Sequence, residues 1–384
     1  MMKYRNLCGE KVSVLGFGAM RLPTKGKETK NIDTEQSEAM LDFALKHGVN
    51  YIDTAYPYHG GESENFVGEY LKKKNLRKDI FLATKLPMWK VKEKGDADKI
   101  FQEQLQKLKT DYFDFYLLHA LGKKSWEKVK NFDILQFCEE QIKAGKIKHF
   151  GFSFHDKLPV FKKIIDDYDK WEFCQIQYNY MDVDIQAGRK GLDYAADKGL
   201  GIIVMEPLRG GQLCKEPPKE IKELWNKFSK KRSYPDAALQ WVWNHENVQL
   251  VLSGMSTLEQ VKENIITAEK SEVDSLSQNE LDIFNKIRKV YKSRRPIGCT
   301  SCKYCEPCPE DIAISRILGF YENYKIYDDL ERNQKFYNNF IKPENKADNC
   351  VKCGKCEEKC PQGINIMKWL EKAHNKLYKK SLEK

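Results

Sequence analysis

Eight short apolar runs, alternating with longer stretches of helical periodicity, restrict what this chain can fold into more than any other feature. The runs are KVSVLGFG, VNYIDTA, DIFLATK, DYFDFYLLH, IKHFGFS, FCQIQYN, LGIIVME and VQLVLSG. Helical patterns lie between them: Gln36 to Lys46, from Ser63 onward, Ile100 to Leu108, Phe132 to Ala144, Leu158 to Asp167, Arg189 to Lys198 and Leu258 to Lys270. Near-continuous apolar strands are buried on both faces, and eight strand-helix units in about 270 residues predict an α/β fold of the (β/α)8 TIM-barrel type. The alternative, a doubly wound sheet, would carry a G-x-G-x-x-G turn. The run begun by Gly16 and Gly18 fails at Arg21.

A chain of 384 residues outgrows one ordinary core. The expected division is a barrel over 1–290 and a small α-helical ferredoxin-like domain over 291–384. Eight of the twelve cysteines fall in that second part. CVKCGKCEEKCP places Cys350, Cys353, Cys356 and Cys360 at spacings of two, two and three, followed by Pro361. That is the bacterial ferredoxin spacing, in which three thiolates on a tight loop reach one [4Fe-4S] cluster and the fourth serves the other. CTSCKYCEPCP places Cys299, Cys302, Cys305 and Cys308 one residue closer, with Pro309 behind.

Two [4Fe-4S] clusters are therefore expected, one on Cys299, Cys302, Cys305 and Cys360, the other on Cys350, Cys353, Cys356 and Cys308. Proline after each fourth cysteine restricts that cysteine's backbone and helps aim its sulfur away from the tripod. Structural zinc is the competing assignment, but zinc sites usually split their ligands into two short pairs across a longer loop. Between the runs, 41 residues carry helical patterns in IAISRILGFYENYKIY and around Leu330, Phe336, Tyr337 and Phe340. After Cys360 an amphipathic helix is read from Ile366, Trp369, Leu370, Ala373 and Leu377.

The formal charge of +10 is spread along the chain among acidic residues, with no nucleic-acid reading motif. Nucleic acid is not an expected partner. No apolar run is long enough for a membrane span, and the N-terminal residues lack an apolar signal core. A cytoplasmic protein without membrane contact is expected. Cys8, Cys138, Cys174 and Cys214 read as small buried hydrophobes.

In a barrel the C-terminal strand ends face the active site. Here those ends offer Asp53, Lys85, His119, Ser153, Gln177, Glu206 and Ser253. At these residues the sequence resembles the aldo-keto reductase family. DTAYPY sets Asp53 five positions before Tyr58, ATK ends in Lys85, and LLH ends in His119, similar to that family's catalytic tetrad in order. The likeness spans roughly Lys11 to Ala268, and the cysteine module resembles an iron-sulfur-bearing branch of the same family.

The resemblance implies hydride transfer between NAD(P)H and a small carbonyl or alcohol. Tyr58 would donate the proton. A free phenol has a pKa of about 10, so the cation of Lys85, paired with Asp53, would lower it. His119 would orient the carbonyl. Ser153 and Gln177 would hold the nicotinamide carboxamide, and Met205, Pro207 and Leu208 of VMEPLRGG would lie at the cofactor. Ser253, Gly254, Gln260, Glu263 and Asn264 would lie along its adenosine end. Three positions depart from the family: Phe154 replaces an asparagine, Met205 a stacking aromatic, and Gly254 and Gln260 the lysine and arginine that meet a 2′-phosphate. NAD and NADP both stay open.

A second class of function is an electron-transfer adaptor, in which the barrel docks a redox partner protein and the clusters pass single electrons. Hydride moves two electrons together and each cluster one. A flavin would convert between them, but no flavin motif is readable, so the clusters are read as structural or as redox centres of unassigned role.

Overall fold

The computed structural model describes residues 1–26, 28–299, 305–306, 308–360 and 362–382. Cys302 and Pro361 lie outside these described residues. By compactness the chain forms two units, 1–214 with 232–277, and 215–231 with 278–384.

The first unit is built on ten strands: β1 (Tyr4–Leu7), β2 (Glu10–Ser13), β3 (Leu15–Gly18), β4 (Tyr51–Asp53), β5 (Phe81–Pro87), β6 (Phe113–Leu121), β7 (Ile147–Phe154), β8 (Phe173–Gln177), β9 (Gly201–Met205) and β10 (Leu250–Ser253). β3 to β10 close into a parallel barrel in sequence order, with β10 paired back on β3. β1 and β2 form a separate antiparallel hairpin.

The expected first strand KVSVLGFG is thus divided. Lys11 to Ser13 complete the hairpin, while Leu15 to Gly18 enter the barrel. The break falls where Ser13 turns its hydroxyl onto the Leu15 carbonyl at 2.7 Å and its backbone N–H takes the Asn50 side chain. Leu7 and Val12 of the hairpin then pack with Tyr51, Ala83, Phe115, Phe173, Ile203 and Leu250 as one buried cluster. These are early residues of their strands, so the hairpin plugs the N-terminal end of the barrel. Each fully buried Val, Leu, Ile or Phe among them contributes about 1.5–3 kcal/mol.

The expected helices are present, and Lys123–Asn131, Lys219–Trp225, Tyr234–Trp243, Gln278–Ser293 and Lys355–Glu358 join them. Tyr234–Trp243 follows β9 in place of any pattern read from the sequence, because nearly every residue of AALQWVW is buried and no polar face breaks the run. Ser233 caps it through the Asp236 N–H.

The second unit is helical. Ile314–Tyr327, Leu330–Phe340 and Ile366–Leu377 enclose a core of Ile317, Leu318, Tyr321, Tyr337, Leu370 and Leu377. Cys299, Cys305, Cys308, Cys350, Cys356 and Cys360 pack against that core. Gln278–Ser293 also belongs to this unit. Its Phe284 meets Trp225 of the short helix Lys219–Trp225 at 5.8 Å between rings. Compactness therefore divides the chain at positions other than residue 290. Among the described residues no helix is long and apolar enough to cross a membrane.

Candidate active site and cysteine cavity

A cavity of about 590 Å³ opens at the C-terminal ends of the barrel strands. Asp53, Tyr58 and His119 line it, while Lys85 stands fully buried behind them. The Lys85 ammonium donates to both Asp53 oxygens at 2.7 Å and to the Thr54 carbonyl at 2.8 Å, with the Tyr58 hydroxyl at 3.5 Å. Burial alone would depress the lysine pKa, but the Asp53 carboxylate outweighs it and holds Lys85 above its ordinary value.

Tyr58 sits in a turn pinned by its neighbour. His59 is buried in the left-handed region (φ 53°), accepts from the Leu22 N–H at 3.2 Å and contacts the Thr29 carbonyl at 2.7 Å. The first contact leaves the proton on Nδ1, which donates in the second. Burial raises the Tyr58 pKa, and Lys85 offsets only part of that because Asp53 opposes it. The net direction is opposite to the one expected from the lysine alone.

His119 is aimed by a bulge. The pairing of β6 with β7 shifts register between Leu118 and Leu121, and Ala120 turns to φ 56° with its N–H donated to the Ser153 hydroxyl at 2.8 Å. Burial, then Lys85 and His155, push the His119 pKa well below its ordinary value, so the ring is neutral at pH 7. Its Nδ1 is buried without a partner among the described residues. Trp89 packs on it at 4.9 Å.

Ser153, Met205, Pro207, Leu208, Ser253, Gly254, Gln260, Glu263 and Asn264 all line the same cavity. The Asn264 amide donates to the Ser253 hydroxyl at 3.0 Å. Gln177 does not line it. Its amide donates to Asp182 at 2.8 Å and accepts from Gln186 at 3.0 Å, in the loop beyond the strand. Two residues earlier on the same strand face, Gln175 faces the cavity with its Oε1 buried and unpartnered. The signal that could have found it is the repeated glutamine in CQIQYN, of which the inner member was passed over.

Arg21 was also missed, as the residue that ends a failed glycine run. A side chain at Gly254 would meet the Arg21 stem at 3.1 Å, and one at Gly210 would meet its guanidinium at 3.3 Å. Arg21 therefore spans the cavity mouth and places a cation where Gly254 and Gln260 supply none.

In the second unit, Cys305, Cys308, Cys350, Cys353 and Cys356 line one cavity of about 190 Å³. Four of these five are the set expected to share a cluster across the two runs, and Cys305 was expected at the other cluster. Among the described residues no three of these thiols come within 4.8 Å of one another, the closeness a single ion would need. Cys356 is pushed up to about 11 by burial, then by Glu357, with Cys350 and Cys308 adding. No disulfide joins the described cysteines. The first run is held by Arg295, which donates to the Cys299 carbonyl at 2.7 Å and pairs with buried Glu322.

A closed parallel barrel whose strand ends bring a buried Lys-Asp pair, a tyrosine and a neutral histidine to one cavity defines an oxidoreductase of the carbonyl-reducing class. The family model described as the aldo/keto reductase family matches residues 14–288, and one described as a 4Fe-4S dicluster domain matches residues 298–365. The chain belongs to the aldo/keto reductase family, is an NAD(P)-dependent oxidoreductase of that type, and carries a C-terminal iron-sulfur module. It is 27% identical to L-galactose dehydrogenase of Arabidopsis thaliana over 74% of this chain and 93% of that protein. It is 27% identical to methylglyoxal reductase YeaE of Escherichia coli over 72% of this chain and 95% of that one. The holo form of aldo-keto reductase AKR11C1 from Bacillus halodurans superposes with a TM-score of 0.62 at 28% identity, covering 75% of this chain and 96% of that structure.

Proposed function

We propose that the barrel reduces a small carbonyl compound, or oxidises the matching alcohol, with Tyr58 as proton donor. The observation that carries this is the Lys85 ammonium, buried between Asp53 and the Tyr58 hydroxyl and 3.5 Å from the latter. Burial keeps the phenol protonated at neutral pH, which suits it to give a proton to a developing alkoxide. The Lys85 cation stabilises the phenolate left behind. Neutral His119 offers a hydrogen bond to the substrate oxygen without adding a competing charge.

The residues fit a nicotinamide dinucleotide. The orphaned Gln175 oxygen and the Ser153 hydroxyl would hold its carboxamide, Met205, Pro207 and Leu208 its nicotinamide ring, and Ser253 to Asn264 its adenosine end. The Arg21 guanidinium would meet its phosphates. When bound it would supply the hydride. Titration of the protein with NADH and NADPH, followed by tryptophan fluorescence, tests this reading: saturable binding of at least one is expected, and binding of neither overturns it.

The functional division is taken as 1–290 and 291–384, which the two family matches support. The second part would hold two [4Fe-4S] clusters, on Cys299, Cys302, Cys305 and Cys360, and on Cys308, Cys350, Cys353 and Cys356. Bound clusters would supply one-electron chemistry. Such thiolate-held clusters suit a reducing cytoplasm. The adaptor reading rests on Cys353, which is exposed at the second cavity and gives a redox partner an edge to approach. It would be preferred if the clusters exchange electrons and the barrel binds no nucleotide.

A further inference from the structure

The N-terminal end of the barrel carries a group of ligand atoms that the reaction does not use. Cys8 stands at the tip of the β1–β2 hairpin, at φ 53° beside Gly9 at φ 89°. His149 lies near the start of β7, and Glu172 immediately precedes β8. One ligand atom of each, the thiol sulfur, a ring nitrogen and a carboxylate oxygen, lie within 4.8 Å of one another. Glu10, on the far arm of the hairpin, places a carboxylate oxygen 3.7 Å from the second ring nitrogen of His149. We propose that Cys8, His149 and Glu172 form a zinc site that ties the hairpin plug to the barrel wall, with Glu10 as the outer partner of the other His149 nitrogen.

The donor set is the argument. A thiolate, an imidazole and a carboxylate are the ligand types zinc takes, at about 2.3, 2.0–2.1 and 2.0–2.2 Å, which sets ligand atoms roughly 3.3–3.8 Å apart in a tetrahedron. The 4.8 Å within which the three observed atoms lie encloses that spacing. All three residues are partly buried, so the site is neither sealed nor fully hydrated.

The surroundings orient two of the ligands, as outer partners do at metal centres. The Phe150 N–H donates to the second Glu172 oxygen at 2.9 Å, and Phe115 stacks on the His149 ring at 4.9 Å between centroids. His149 and Glu172 are in contact at 2.7 Å, and the Cys8 thiol donates to the Glu172 backbone carbonyl at 3.5 Å. An ion pair between His149 and Glu172 accounts for the first of these contacts and gives Cys8 no part. The two accounts therefore differ in what removing the thiol does.

The test uses the full chain with its clusters loaded anaerobically, iron and sulfide quantified, and zinc titrated calorimetrically. One equivalent of zinc is expected in the wild type and none in Cys8→Ser or His149→Gln, with iron and sulfide unchanged in both. The melting temperature of the wild type alone should rise on adding zinc, as binding to the native state requires. Absence of zinc binding in the wild type overturns the proposal, as does equal binding by either variant. His149→Gln keeps the test decisive should Cys8→Ser fail to fold.

Discussion

Replacing Asp53 by asparagine strands Lys85 as a fully buried cation whose remaining partners, the amide oxygen, the Thr54 carbonyl and the Tyr58 hydroxyl, are all neutral. Removing one member of a buried pair costs about 3–5 kcal/mol. An independent ceiling comes from the lysine's escape by losing its proton. At pH 7 that costs roughly 3.5 units of about 1.36 kcal/mol each, or about 5 kcal/mol, relative to an unfolded lysine near 10.4. The two figures agree, so a loss of about 3–5 kcal/mol is expected in denaturant unfolding followed by circular dichroism.

The pH dependence has a definite sign. In the wild type Lys85 is held above its unfolded value, so its stabilisation is complete below about pH 10.4 and fades only as pH rises through the raised folded value. Where the variant's lysine takes that escape and is neutral in the native state, the penalty should shrink by about 1.36 kcal/mol per pH unit toward 10.4. Asp53→Asn combined with Lys85→Met should recover most of the loss. An Asp53→Asn protein within about 1 kcal/mol of wild type, with no such slope, would refute the buried-pair reasoning.

Gln175→Ala should raise KM for the nucleotide about 5–10-fold through a lost hydrogen bond, while Gln177→Ala stays within about twofold; steady-state kinetics of both variants decide whether the inner glutamine is the contact. Because the His119 pKa is held well below its ordinary value, kcat/KM should show no His119 ionisation between about pH 6 and 8. The same depression means the unfolded chain takes up a proton that the native chain refuses, so His119 should cost stability as pH falls below about 6.5 and not above it. Cys308→Ser and Cys353→Ser should abolish the same electron paramagnetic resonance signal and about half the iron, leaving nucleotide affinity intact; loss of a different signal in Cys308→Ser would contradict the shared cavity.

The barrel was legible because its strands are apolar on both faces and its helices on one. Where that rule failed, a second force had intervened. Tyr234–Trp243 is buried on nearly all sides and so shows no amphipathic period. KVSVLGFG reads as one strand because its break at Val14 involves no glycine or proline, only the Ser13 side chain and the hairpin register. Asp53, Tyr58, Lys85 and His119 could be named at the strand ends through the family resemblance. Their electrostatics could not, since the burial that raises Tyr58 is a property of packing. Gln175 and Gln177 share a strand face, so alternation cannot separate them; the loop carrying Asp182 and Gln186 does. Arg21 acquires meaning only when the ends of β3 and β10 meet around the barrel.

In the proposed reaction hydride passes directly from a nicotinamide to a carbonyl carbon while Tyr58 supplies the proton. Incubation with NAD(P)H deuterated at the transferring C4 position, followed by mass spectrometry of the alcohol, tests it most directly. One deuterium on the carbinol carbon is expected, with turnover reduced by about 10²–10⁴-fold in Tyr58→Phe and nucleotide binding retained. Product that carries solvent hydrogen at that carbon, or a Tyr58→Phe protein that turns over at the wild-type rate, would contradict it.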